Sequence, residues 1–314
     1  MDDFLRTDDL TPETLQAVLD LADQLKADRR SRVSSTSTLI RSDLHGMTVA
    51  LLFEKPSTRT RVSFQVAVHE LGGHPLPLSS AELQLGRGET IGDTGEVLSR
   101  YCHAIVVRTF GQDRLDELAA AAAVPVVNAL TDLEHPCQAL ADLQTLRAEF
   151  GALSGRSLAY VGDGNNVANS LLLAGAMAGM SVRVGHPDGY APDPDIVARA
   201  ERLAGDSGGE VVLTDDPAEA ARGADAVYAD VWTSMGQEAE NEHRLEVFAP
   251  YRVTADLMDE AADDAIFLHC LPAHRGEEVT AEVIDGPRSR VFDQAENRLH
   301  AQKALLVTLV TAGD

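Results

Sequence analysis

Short apolar runs that alternate with amphipathic stretches constrain the fold of this chain more than any other feature. MTVALLFE, AIVVRTF, VPVVNAL, SLAYVGD, VRVGHP, EVVLTDD, AVYADVW, AIFLHCL and SRVFDQA read as strands of buried parallel sheet. Between them lie helical patterns. TPETLQAVLDLADQLKADRR opens with Thr11 and Glu13 ahead of apolar positions at helical spacing, and RLDELAAAAA is rich in Ala and Leu. The alternation predicts an α/β protein of two domains, each a parallel-sheet three-layer sandwich with flanking helices.

The length of 314 residues and 44% hydrophobic content suit two cores. The strand run breaks near residue 135, where HPCQALADLQTLRAEFG forms a long amphipathic segment before Gly155 turns into a fresh strand. Periodicity leaves open which core LHAQKALLVTLV covers. The expected division is 1–134 joined by the C-terminal helix 299–314, and 135–298.

A net charge of −24 argues against nucleic acid, because neutralising phosphates requires a basic face. Lysine is confined to Lys26, Lys55 and Lys303, and every other cationic side chain is arginine. Either adaptation to a salty cytoplasm or codon bias accounts for that skew. Cys102, Cys137 and Cys270 lack CxxC spacing, so neither a disulfide framework nor a structural zinc site is indicated. The start MDDFLRTDDL has no basic and apolar leader pattern, and no apolar run reaches membrane-spanning length. A soluble, cytoplasmic protein that meets no membrane is expected.

FEKPSTRTRVSF, residues 53–64, is the first candidate site. It lies between a strand and the helical pattern VSFQVAVHEL, and helix N-termini bind anions through outward N–H groups and the helix dipole. Ser57, Thr58 and Thr60 add hydroxyls and Arg59 adds a fork suited to phosphate. Simple capping would account for one hydroxyl, not three interleaved with two arginines. Arg108 ends a strand, where ligands of open α/β sheets gather. His135 and Gln138 share a helix face and offer a donor and an amide. GDGNNVANS resembles a dinucleotide turn without GxGxxG spacing, which disfavours a nucleotide cofactor. Asp230 and Cys270 both lie at carboxyl ends of predicted strands.

STRTR resembles the carbamoyl phosphate signature of the aspartate and ornithine carbamoyltransferases, a trimeric α/β family. Arg108 in VVRTF, HPCQ at 135–138, DGNNVANS at 163–170, DVWTSMG at 230–236, HCLP at 269–272 and ENR at 296–298 follow in order and span nearly the whole chain. The resemblance implies that carbamoyl phosphate is bound by Ser57, Thr58, Arg59, Thr60, Arg108, His135, Gln138, Cys270, Leu271 and Arg298. It also implies that Gln84 is lent by a neighbouring subunit of a homotrimer. His135 would polarise the carbamoyl oxygen with Arg108 and Thr60, and the Leu271 carbonyl, before a cis Pro272, would accept from the carbamoyl NH2.

DVWTSMG is carried by the ornithine branch and not the aspartate branch, so the implied acceptor is L-ornithine. Asp230 and Cys270 would meet its δ-amine, Asn166 its α-amino and α-carboxylate end, and Ser234 and Met235 would close over it. Asp230, Cys270, Arg108 and His135 are the expected catalytic residues. The implied products are L-citrulline and phosphate, as in arginine biosynthesis, without a metal or organic cofactor. Transfer to putrescine or acetylornithine is the alternative activity, and a noncatalytic phosphate or amino-acid sensor is the alternative class. The SMG segment with Asn166 disfavours the first, and Asp230 together with Cys270 disfavours the second.

Overall fold

The computed structural model describes residues 2–33, 41–79, 88–233 and 238–311. The chain divides into two compact units, Met1–Gln144 with Glu296–Asp314, and Thr145–Ala295. Its strands are β1 (Thr48–Phe53), β2 (His74–Ser79), β3 (Ala104–Arg108), β4 (Val126–Leu130), β5 (Ser157–Val161), β6 (Ser181–Gly185), β7 (Glu210–Thr214), β8 (Ala226–Tyr228) and β9 (Ile266–Leu268). The α-helices of the first unit are α1 (Pro12–Val33), α2 (Thr58–Glu70), α3 (Ile91–Ser99) and α4 (Gln112–Ala121). Then come α5 (Pro136–Phe150), α6 (Asn166–Met177), α7 (Pro194–Ser207), α8 (Pro217–Ala221), α9 (Asn241–Phe248), α10 (Ala255–Glu260), α11 (Ala281–Ile284) and α12 (Val291–Thr311).

In the first unit the sheet order is β2-β1-β3-β4, and every pair is parallel. β1 reads TVALLF and is buried from its second residue onward, as a central parallel strand must be. Ala50, Leu52, Ile105 and Val107 pack against Leu98 of α3 and Leu115 and Leu118 of α4. Burying each large aliphatic side chain stabilises by about 1.5–3 kcal/mol. In the second unit the order is β7-β6-β5-β8-β9, again all parallel. There Val161, Val227 and Phe267 join Trp232, Phe248 and Val283 in one apolar cluster.

Two strand expectations need correction. HPLPLS forms β2, which pairs with β1 from Thr48↔His74 to Phe53↔Ser79. Its Pro75 and Pro77 disguise it, and they are accommodated because β2 is an edge of the sheet. SRVFDQA is not a strand. Ser289 makes a single bridge with Phe267, and from Val291 the chain is already α12, with Phe292 at the surface.

By compactness the chain divides at Gln144, inside α5, and returns to the first unit at Glu296, inside α12. Both boundaries lie within helices, so no turn signal marks them. The early turns of α5 are fastened to the first unit, with the Cys137 thiol donating to the Asn128 carbonyl at 3.3 Å and Gln144 Nε2 donating to Asp23 Oδ1 at 3.0 Å.

Candidate active site

Helix α2 begins at Thr58, four residues before the expected helical pattern, so TRTR forms its first turn. Ser57 is the N-cap, with extended backbone, and its Oγ accepts from the Thr60 N–H at 3.2 Å. Arg59 and Arg61 are exposed, whereas Thr60 is buried. Lys55 is buried too, but its ammonium ion-pairs with Asp132 and lies 4.4 Å from the centre of the Phe110 ring. Its charge is therefore committed to holding the loop. Glu54 is likewise tied to Arg114, at 2.6 Å, and to the Thr109 hydroxyl.

Buried polar groups converge below that turn. Arg298, on α12, donates from Nη2 to Thr60 Oγ1 at 3.0 Å and from Nη1 to Gln138 Oε1 at 2.5 Å. Gln138 Nε2 in turn donates to Asp142 Oδ1 at 2.7 Å, one turn along α5. Burial pushes the His135 imidazole well below its ordinary pKa, and the charges of Arg298, Arg108 and Arg59 push it further in the same direction. His135 is consequently a neutral donor or acceptor amid guanidinium groups. Arg108 closes β3, where the register with β4 shifts between Val107 and Arg108. The first unit thus brings together Ser57, Thr58, Arg59, Thr60, Arg108, His135, Gln138 and Arg298, a cationic and neutral-donor cluster suited to an anion joined to a carbonyl group.

The second unit holds a different cluster. Asp230 follows β8 and is 7% exposed. Asn165 Nδ2 donates to its Oδ2 at 2.9 Å, and the Cys270 thiol donates to its Oδ1 at 3.0 Å. Asn165 is fixed from its other end, because its Oδ1 caps α6 by accepting from Val167 N–H at 2.9 Å and Ala168 N–H at 3.2 Å. Tyr160 Oη donates to that same oxygen at 3.2 Å. Asn166 stands beside it as the first residue of α6. The preceding Gly164 has to be glycine, since a Cβ there would lie 2.2 Å from the Pro192 nitrogen.

Asp163 is pushed up to about 6 by burial, opposed by the Arg244 guanidinium with which it pairs. Arg244 also donates to the Trp232 carbonyl at 2.5 Å and lies over the Tyr190 and Phe248 rings, so it ties the DGNN loop to the end of DVW. Leu271 adopts a left-handed φ of 59°, and the Leu271–Pro272 peptide is cis. His269 Nδ1 accepts from the Leu271 N–H at 2.8 Å, and its Nε2 lies 3.2 Å from Glu278 Oε1. Gln84, Ser234 and Met235 lie outside the described residues.

Sequence reasoning missed Asp142, Tyr160, His269, Glu278 and Arg244. Of these only Asp142 carried a usable signal, an acid four residues after Gln138 on one helix face.

Comparison with known proteins divides the chain close to the same place in α5 but carries the second domain on through α12. Residues 2–148 match the family model for the carbamoyl-P binding domain of aspartate/ornithine carbamoyltransferase, and residues 154–309 match its Asp/Orn binding domain. An ornithine carbamoyltransferase of Parafrankia sp. (strain EAN1pec) is 60% identical over 313 residues, covering 99% of this chain and 97% of the relative. One from Acidothermus cellulolyticus is 60% identical over 309 residues, covering 98% and 96%. Among solved structures, the Pyrococcus furiosus ornithine carbamoyltransferase superposes with a TM-score of 0.94 at 50% identity, covering 99% of this chain and 97% of that one.

Proposed function

Because this chain belongs to the aspartate/ornithine carbamoyltransferase family, we infer that it transfers the carbamoyl group of carbamoyl phosphate to the δ-amine of L-ornithine, giving L-citrulline and phosphate. The observation that carries the choice of acceptor is the buried Asp230 carboxylate, held by Asn165 and Cys270 at the carboxyl end of β8. An anion so placed suits an amine. It would repel the β-carboxylate of an aspartate acceptor.

In this reading the phosphate lies on the first turn of α2, against the N–H groups that follow Ser57 and the exposed Arg59 fork. Thr60, Arg108 and neutral His135 face the carbamoyl oxygen, while Gln138 and Arg298 hold the carbamoyl end. The uncharged δ-amine attacks the carbonyl carbon to form a C–N bond and a tetrahedral oxyanion. Donors already in place stabilise that charge, each worth about 10²-fold or more in rate. The intermediate collapses by breaking the C–O bond to phosphate, which leaves with the bridging oxygen and takes up the proton the amine sheds. Asp230 and Cys270 align the amine, and Asn166, Ser234 and Met235 bind the amino-acid end. No step calls for a metal or organic cofactor.

We further place the enzyme in arginine biosynthesis, in the cytoplasm and as a homotrimer in which Gln84 serves a neighbouring subunit's phosphate site. Among the described residues no helix is long and apolar enough to cross a membrane. Light scattering that finds a fully active monomer would defeat the trimer. The test of the activity is carbamoyl transfer by the purified protein from carbamoyl phosphate, read as citrulline from L-ornithine, N-carbamoylputrescine from putrescine and N-acetylcitrulline from N-acetylornithine. A protein that makes no citrulline, or that prefers either other amine, is not what we infer.

A further inference from the structure

We propose that Asp142 is a positioning residue that makes the phosphate-side site selective for a carbamoyl NH2 over a methyl group, acting through the amide of Gln138. The inference rests on the carbamoyl phosphate reading above and concerns a residue that touches no substrate.

An amide side chain has two ends of similar size and opposite hydrogen-bonding sense, so a binding site that uses one must fix which way round it lies. At Gln138 both neighbours impose the same answer. Arg298 can only donate, and its Nη1 meets Oε1 at 2.5 Å. At the other end a carboxylate oxygen, Asp142 Oδ1, receives the Nε2 hydrogen at 2.7 Å. Asp142 and Gln138 are 0% and 2% exposed, so water does not take over either role. The amide is thereby locked with its oxygen toward Arg298 and Thr60 and its NH2 turned away along α5.

A carbonyl oxygen has two lone pairs. One accepts from Arg298, and the other is oriented to accept from an N–H of a ligand held by the same guanidinium. A carbamoyl group supplies that N–H, whereas an acetyl group of nearly the same shape presents a methyl. Without Asp142, the amide could stay in place only by burying an unsatisfied NH2, at about 1–3 kcal/mol, so it pivots and the acceptor is no longer fixed.

The test compares phosphonoacetamide with acetonylphosphonate, which differ only in NH2 against CH3, by calorimetry on the full chain. The wild type should bind the amide about tenfold more tightly, the worth of one buried hydrogen bond. Asp142→Leu should narrow that preference to about twofold while changing acetonylphosphonate affinity little. Asp142→Asn, whose oxygen still accepts, should restore most of the preference; Asp142→Ala replaces the Leu variant should the latter not fold. Equal weakening of both ligands in an apolar variant, or loss of preference in Asp142→Asn, overturns the proposal. A wild type that binds neither ligand instead refutes the carbamoyl phosphate reading itself.

Discussion

Replacing Arg298 with Met separates the roles that one buried cation fills in the first unit. Arg298 is 5% exposed and bonded to Gln138 and Thr60, so the change deletes two charge-assisted hydrogen bonds while keeping much of the side-chain length. Such bonds contribute ~1.5–3 kcal/mol each, and they share one donor group, so a stability loss of about 3–5 kcal/mol is expected in chemical denaturation. Arg298 is also the foremost charge depressing His135, after burial. Its loss must therefore raise the His135 pKa toward the ordinary 6.5, although burial, Arg108 and Arg59 still act to lower it. Proton NMR of the imidazole across pH 4 to 8 reads that shift directly, and carbamoyl phosphate affinity should fall about a hundredfold. A His135 titration that does not move, or that moves down, would show that the guanidinium does not bear on the imidazole and would remove the electrostatic basis for His135 as a neutral donor.

If the acid lies on the amine side of the reaction as proposed, Asp230→Asn should lose citrulline turnover by at least a hundredfold while carbamoyl phosphate affinity, measured by calorimetry, changes less than threefold. Near-normal turnover at saturating ornithine would refute its role. Buried His300 is pushed down to about 4 by desolvation and by Lys303, against an ordinary 6.5. Its unfolded form therefore takes up a proton first, and stability that is whole above pH 6.5 declines toward pH 4, by ~3 kcal/mol at the limit. His300→Gln should flatten that part of the stability–pH curve, and an unchanged curve counts against the assignment. If the charge of −24 reflects adaptation to brine, the melting temperature should rise between dilute buffer and molar KCl; an unchanged value favours codon bias.

What was readable in the sequence was whatever repeats or concentrates a signal. Central strands such as TVALLF announce themselves because burial on both faces demands an unbroken apolar run. PSTRTR stands out because cations and hydroxyls crowd one helix start in an acidic chain. β2 was not legible, since an edge position tolerates the prolines that ordinarily exclude a strand. SRVFDQA misled because the first turn of α12 places Val291 and Phe292 in an apolar run too short to distinguish its period. His269 and Glu278, nine residues apart, meet only after the chain has turned through the left-handed Leu271. No periodicity encodes that pairing, nor the Arg244–Asp163 ion pair across 81 residues.

The first unit is completed by α12, and this sets an order for assembly during synthesis. Residues 145–295 are contiguous and emerge whole, whereas the first unit, its sheet already made, must await residues translated some 150 positions after Gln144, from Glu296 onward, to be complete. Until then Thr60 and Gln138 have no Arg298 to bond, and Glu70 lacks Lys303. A nascent chain stalled before Glu296 should therefore resist protease over residues 145–295 while its earlier half remains open to cleavage. The phosphate-side site is thus withheld from ligands until Arg298 has been synthesised and α12 can fold back onto the first unit.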